Sequence, residues 1–129
     1  MTTYDPDKDL QTDKWLAMDD AERVAAVETY HRRQRIRLPR ATLHATIHTV
    51  VENQIALGES TVVETLARLR SEGLTRHEAV HAIGTVLAEQ IFHALKGESG
   101  AGSDLNESYL DRVRHLTADA WRNSGEMET

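Results

Sequence analysis

The chain is punctuated in a way that divides it into helices. Asp19-Asp20-Ala21-Glu22 and Thr75-Arg76-His77-Glu78 each set a short polar side chain three residues before a glutamate. In that arrangement the two side chains reciprocally satisfy the unpaired N–H groups at a helix start. Gly58 and Gly73 stand where helices should stop, and Ser60 is placed to cap the helix between them. The spacing predicts helices over about 20–33, 40–57, 60–72 and 75–96. A further helix over about 104–122 follows the small-residue loop ESGAGSD and carries Leu105, Tyr109, Leu110, Val113, Leu116, Ala120 and Trp121. Trp15, Leu16 and Met18 are expected to pack as a short turn ahead of them. The polar stretches 1–12 and 123–129 are expected to be flexible.

Composition agrees with this reading. Apolar residues make up 40% of the 129 and aromatics 5%, and there are two prolines. Such a core must be built from Leu, Ile, Val and Ala, which suits packed helices better than a β-sandwich. The expected fold class is therefore all-α: a single helical bundle of about five helices, with residues 1–129 forming one domain.

Several function classes are disfavoured. A formal net charge of −6 argues against a nucleic-acid or acidic-membrane partner for the chain as a whole. The absence of cysteine removes thiolate ligands, disulfides and a cysteine nucleophile. No apolar run approaches the ~18 residues of a membrane span, and MTTYDPDKDLQTDK does not read as a signal peptide. A cytoplasmic protein is expected. The sequence does not indicate an oligomeric state.

Four histidines carry the chemical signal. His44 and His48 are four apart on one helix, and His77 and His81 are four apart on another. Residues at that spacing point the same way, with side chains ~6 Å apart. With His44 at 0°, the apolar positions of its helix span about −120° to +20°, and His48 lies at about 40°. His77 and His81 occupy the same edge of the apolar arc on their own helix. Gly84 and Ala88 lie near the direction of His77, so a neighbouring helix could approach closely there.

Short loops make consecutive helices antiparallel. The two histidine-bearing helices should then run parallel, with both pairs at one end of the bundle. His31, at the end of the helix over 20–33, should arrive at that end too. His93 faces away, and His115 has no assigned direction. The expected ligand set for a divalent metal ion is His44, His48, His77 and His81, joined by Glu52 and Glu89. Glu52 continues the His44–His48 line, and Glu89 stands two turns beyond His81. Imidazoles without thiolates do not select among Zn, Fe, Ni and Cu; zinc and iron are the first expectations.

The second pair also spells H-E-x-x-H, the signature of zinc hydrolases in which the glutamate activates water. In one such class the third ligand is a glutamate on a following helix, and Glu107 is the candidate here. Glu107, however, begins the helix returning from the far end, ~22 Å from His81. Glu78 also sits at the third position of the T-x-x-E capping box, which accounts for it without catalysis.

Between Arg32 and Arg40 five arginines interrupt the acidic chain, and Pro39 blocks continuous helix there. This run reads as a solvated connection, or as a local site for an acidic partner.

L-H-x-x-x-H-x-x-x-E-x-Q (Leu43, His44, His48, Glu52, Gln54) is followed by R-H-x-x-x-H-A (Arg76, His77, His81, Ala82), then Leu87 and Glu89, then Tyr109 and Leu110. Over roughly 43–110 this pattern resembles a small bacterial family of unknown function, helical proteins with paired H-x-x-x-H motifs. The resemblance implies that the histidine pairs and the glutamates at 52 and 89 belong together. It also implies that the glutamate inside H-E-x-x-H does not, which favours the capping role for Glu78. It carries no activity.

Three functions follow as expectations. The first is a metal-binding bundle with a His/Glu site between two helices. The alternatives are a zincin-like hydrolase using Glu78 as base, and a non-enzymatic interaction module using the arginine-rich end.

Overall fold

The computed structural model describes residues 4–34, 41–96 and 105–123. They form α1 (Thr12–Ala17), α2 (Asp20–Arg33), α3 (Ala41–Ala56), α4 (Ser60–Ser71), α5 (Arg76–Leu95), α6 (Leu105–His115) and α7 (Ala118–Asn123). No strand occurs among the described residues, and the expected all-α bundle is what forms. Among those residues, no helix is long and apolar enough to cross a membrane.

Local chemistry sets the helix ends. Asp19 Oδ1 accepts the Glu22 N–H at 2.8 Å, and Glu22 returns the bond by accepting the Asp19 N–H at 3.0 Å. Thr75 and Glu78 do the same for α5 at 3.0 and 2.9 Å. The turns before α4 and α5 are made at Gly58 (φ +75°) and Gly73 (φ +105°), where a side chain would be strained. The cap of α4 differs from expectation. Glu59, not Ser60, accepts the Thr61 N–H at 2.9 Å, and Ser60 is the first helical residue.

The helix expected over 104–122 is broken into α6 and α7. No proline or glycine marks the break; Arg68 of α4 bonds the carbonyls it frees. Its guanidinium donates to the carbonyls of Arg114 and Leu116, two groups that a continuous helix would have engaged internally. Thr117 then caps α7 by accepting the Ala120 N–H at 3.0 Å, and Glu72 takes the Ala118 N–H at 2.8 Å.

The central helix is α5, which contacts α3, α4, α6 and α7. A large core of Val51, Val62, Leu69, Ile83, Val113, Trp121 and their neighbours fills the space among these helices. A smaller core of Tyr4, Trp15, Val27 and Ala45 lies under α1 and α2. At Gly84 an added Cβ would lie 3.2 Å from Ile47 Cγ2, so α3 and α5 meet closely at that point, as its position had suggested. This close seam brings the two histidine pairs within reach of each other.

The polar composition of 1–12 predicts a loose segment, but residues 4–7 are pinned to α3 and α5. Tyr4 and Pro6 are buried. Tyr4 Oη donates to Glu52, Arg76 Nη1 donates to the Pro6 carbonyl at 2.9 Å, and Asp7 Oδ1 accepts the His77 N–H at 3.0 Å. The partners that hold this segment lie 48 to 70 residues away, where composition cannot reveal them. The tail beyond Asn123 lies outside the described residues.

Candidate metal centre

Five imidazoles meet where α2, α3 and α5 converge. His31 comes from the last turn of α2, His44 and His48 from the first half of α3, and His77 and His81 from the first two turns of α5. Ring centroids are 4.7 Å apart for His44–His48, 5.1 Å for His44–His81, 5.5 Å for His48–His77 and 5.3 Å for His31–His48. His48 is at the centre and is 1% exposed. Tyr30 covers the cluster beside His77 and His31, and the Trp121 ring lies 6.0 Å from His81.

The ligand atoms sort into two groups. One nitrogen each from His31, His48 and His77 lie within 4.8 Å of one another, and so do one each from His44, His48 and His81. His48 belongs to both. Tetrahedral zinc with bonds of ~2.0–2.1 Å needs donors about 3.3 Å apart, and each triad is a group that could hold an ion if its rings drew closer.

Every one of these rings is held neutral. Burial is the main cause throughout, reinforced for His31, His44, His48 and His81 by the neighbouring histidines. His31 is lowered to about 4 and His81 to about 3, and His48 lies well below the ordinary value. Burial also lowers His77, although Asp7, Asp5, Glu52 and Glu78 oppose it. A neutral imidazole offers one lone pair, the form a metal requires.

Among the described residues these nitrogens lack protein partners. His31 Nε2, His44 Nε2, His77 Nε2, His81 Nδ1 and both Nδ1 and Nε2 of His48 are buried with no hydrogen-bonding group to meet them. The other side of the His31 ring bonds the Val27 backbone, which aims Nε2 into the cluster.

Glu52 and Glu89, also expected as ligands, belong to neither triad. Glu52 is fully buried, and both its oxygens receive Arg76: Oε1 from Nη2 at 2.8 Å and Oε2 from Nη1 at 2.9 Å. Tyr4 adds a third bond. The His44–His48–Glu52 line exists, but Glu52 ends two turns from His44, at the Arg76 end of α5. There it forms an ion pair locking α3 to α5. Glu89 is half-exposed and pairs with Arg112 of α6 at 2.6 Å.

Glu78 is engaged in its capping box. Glu107 is exposed at the start of α6 and belongs to neither triad. His93 and His115 are exposed, with His115 bonded to the Asp111 carbonyl. In the arginine run Arg32 and Arg33 are exposed, while Arg35, Arg37 and Arg40 lie outside the described residues.

Sequence reasoning brought His31 to this end of the bundle but did not count it as a ligand. Its place on the Val24–Val27–His31 face was the available signal. Comparisons with protein families, with curated proteins and with solved structures find no match.

Proposed function

We propose that this chain is a metal-binding helical bundle whose site is the five-histidine cluster. The observation that carries the reading is the set of buried, unpartnered ring nitrogens. Leaving a buried polar group unsatisfied costs about 1–3 kcal/mol. Six of them would together cost on the order of 6–18 kcal/mol, as much as the whole net stability of an ordinary domain. The five neutral rings carry five lone pairs, gathered from three helices, and a transition-metal ion occupies such lone pairs directly. Imidazole donors without thiolate suit Zn, Fe, Cu or Ni.

The zincin alternative has less support, because Glu78 takes part in the α5 capping box and Glu107 is in neither histidine triad. Among the described residues, no observation favours the arginine end as an interaction site over the metal reading.

Metal analysis of protein purified without a histidine tag tests the proposal. Stoichiometric metal is expected, and a chelator at pH 7.5 should lower the melting temperature. An ion at 100 times its dissociation constant adds ~2.7 kcal/mol. Protein that neither carries metal nor takes up Zn(II), Fe(II) or Cu(II) at micromolar concentration would overturn it.

A further inference from the structure

We infer that the cluster is a two-ion centre in which the His48 ring bridges the metals, one through Nδ1 and the other through Nε2. The inference rests on the metal-binding reading and extends it to the number of ions and the form of the ligand. Three observations converge on it. The candidate donors divide into two triads, His31–His48–His77 and His44–His48–His81, that share only His48. His48 is also the one histidine of the cluster with both ring nitrogens buried and unpartnered. Finally, the six orphaned nitrogens are what two three-donor sites need if His48 serves each once.

A single ion fails this count. It can take only one nitrogen of His48, and the other stays buried without a partner at the centre of the cluster, which is unfavourable. His31 and His44 approach to 4.9 Å between ring centres, yet their ligand atoms fall in different triads. Two ions bridged by one ring use every orphan. With metal–nitrogen bonds of ~2.0–2.1 Å the ions would stand about 6 Å apart.

Charge favours the bridge as well. Neither triad contains a carboxylate, and the nearby Glu52 is neutralised by Arg76. Two divalent ions would therefore place four positive charges in a buried site, offset only in part by Asp5, Asp7 and Glu78 near His77, which is costly. Bridging requires the neutral His48 ring to release its remaining N–H proton to solvent. Two metal–nitrogen bonds then form on an imidazolate, and nothing is oxidised or reduced. The negative ring offsets part of the charge at the point midway between the ions. Each ion keeps three protein donors and an open position for water, hydroxide or another small anion, the arrangement of a reactive site more than a closed structural one.

Copper(II) is the probe, added to chelator-treated, untagged protein. Uptake should end at two equivalents per chain. An isolated Cu(II) ion gives a full electron paramagnetic resonance signal, whereas two joined through an imidazolate couple their spins and lose it at low temperature. The integrated signal of the fully loaded protein should therefore fall to a small fraction of two spins. His31→Ala and His81→Ala each break one triad, so each should hold one fully visible copper. His48→Ala should lose both tight equivalents, with helicity checked by circular dichroism. The wild-type measurement decides the matter even if a variant does not fold. Two equivalents with full signal, or saturation at one visible copper, would overturn the bridge while leaving metal binding intact. No tight copper uptake at all would overturn both.

Discussion

Replacing Glu52 with alanine separates the ligand role expected from the sequence from the ion-pair role it has in the structure. In the structure it is the counter-charge of Arg76, which is 3% exposed and receives its main compensation from the two Glu52 oxygens. In Glu52→Ala the guanidinium keeps only the Pro6 carbonyl, and Tyr4 Oη loses its acceptor. Breaking a buried pair by removing one partner costs about 3–5 kcal/mol, a large part of the ~5–15 kcal/mol that holds a domain together. The measurement is urea denaturation of chelator-treated protein at pH 7.5, reading the midpoint and slope. Glu52→Gln, which keeps acceptor capacity but removes the charge, should fall between wild type and Glu52→Ala. The double variant Glu52→Leu/Arg76→Met should recover most of the loss, because a well-packed apolar pair often replaces a buried ion pair at little cost. The reasoning fails if metal-free Glu52→Ala stays within about 1 kcal/mol of wild type. A selective loss of metal capacity with stability preserved would show that Glu52 is a ligand after all.

Two further outcomes follow from the same geometry. Glu78→Ala should cost ~0.5–2 kcal/mol, as cap losses do, and leave metal content unchanged; a drop in metal content without a drop in stability would return Glu78 to the site. The metal-free protein should also be acid-sensitive, because His31 and His81 are lowered to about 4 and about 3 in the fold. Their unfolded value is ~6.5, so the unfolded chain binds protons first as pH falls. Stability should be flat above pH ~6.5 and decline as pH drops toward ~4, by on the order of 3 kcal/mol for His31 alone. Urea midpoints that do not move between pH 7.5 and 5 would contradict the buried, neutral state of these rings.

Much of this architecture was legible because its causes are local. Caps at Asp19 and Thr75 and turns at Gly58 and Gly73 announce themselves within four residues, and helix periodicity aims His44, His48, His77 and His81 toward one end. What escaped depends on partners distant in sequence. Glu52 shares a helix line with the histidines, but its partner, Arg76, is 24 residues away and looks in sequence like an ordinary solvated cation. The carbonyls freed at the break between α6 and α7 are met by Arg68, on another helix. Tyr4 sits in an acidic, polar stretch and still becomes core, because α3 offers its hydroxyl a buried carboxylate. Long-range polar pairing has no periodicity, and so leaves no trace in a pattern of apolar residues.

The cap at Thr75 bears on how short motifs arise. Two unrelated requirements overlap on seven residues of this chain. A helix start favours an acidic side chain at its third position, and a metal cluster favours two imidazoles one turn apart. When the first imidazole falls at the second position of the helix, as His77 does, the two demands spell H-E-x-x-H by superposition alone. Register decides how much such a match says about chemistry. Here the glutamate lies in the opening turn, leans toward the N-terminus as helical side chains do, and is held by the Thr75 amide at 2.9 Å. A five-letter signature that begins within a turn of a Ser, Thr, Asp or Asn therefore carries less chemical information than the same letters deep inside a helix, where no backbone amide waits for the carboxylate.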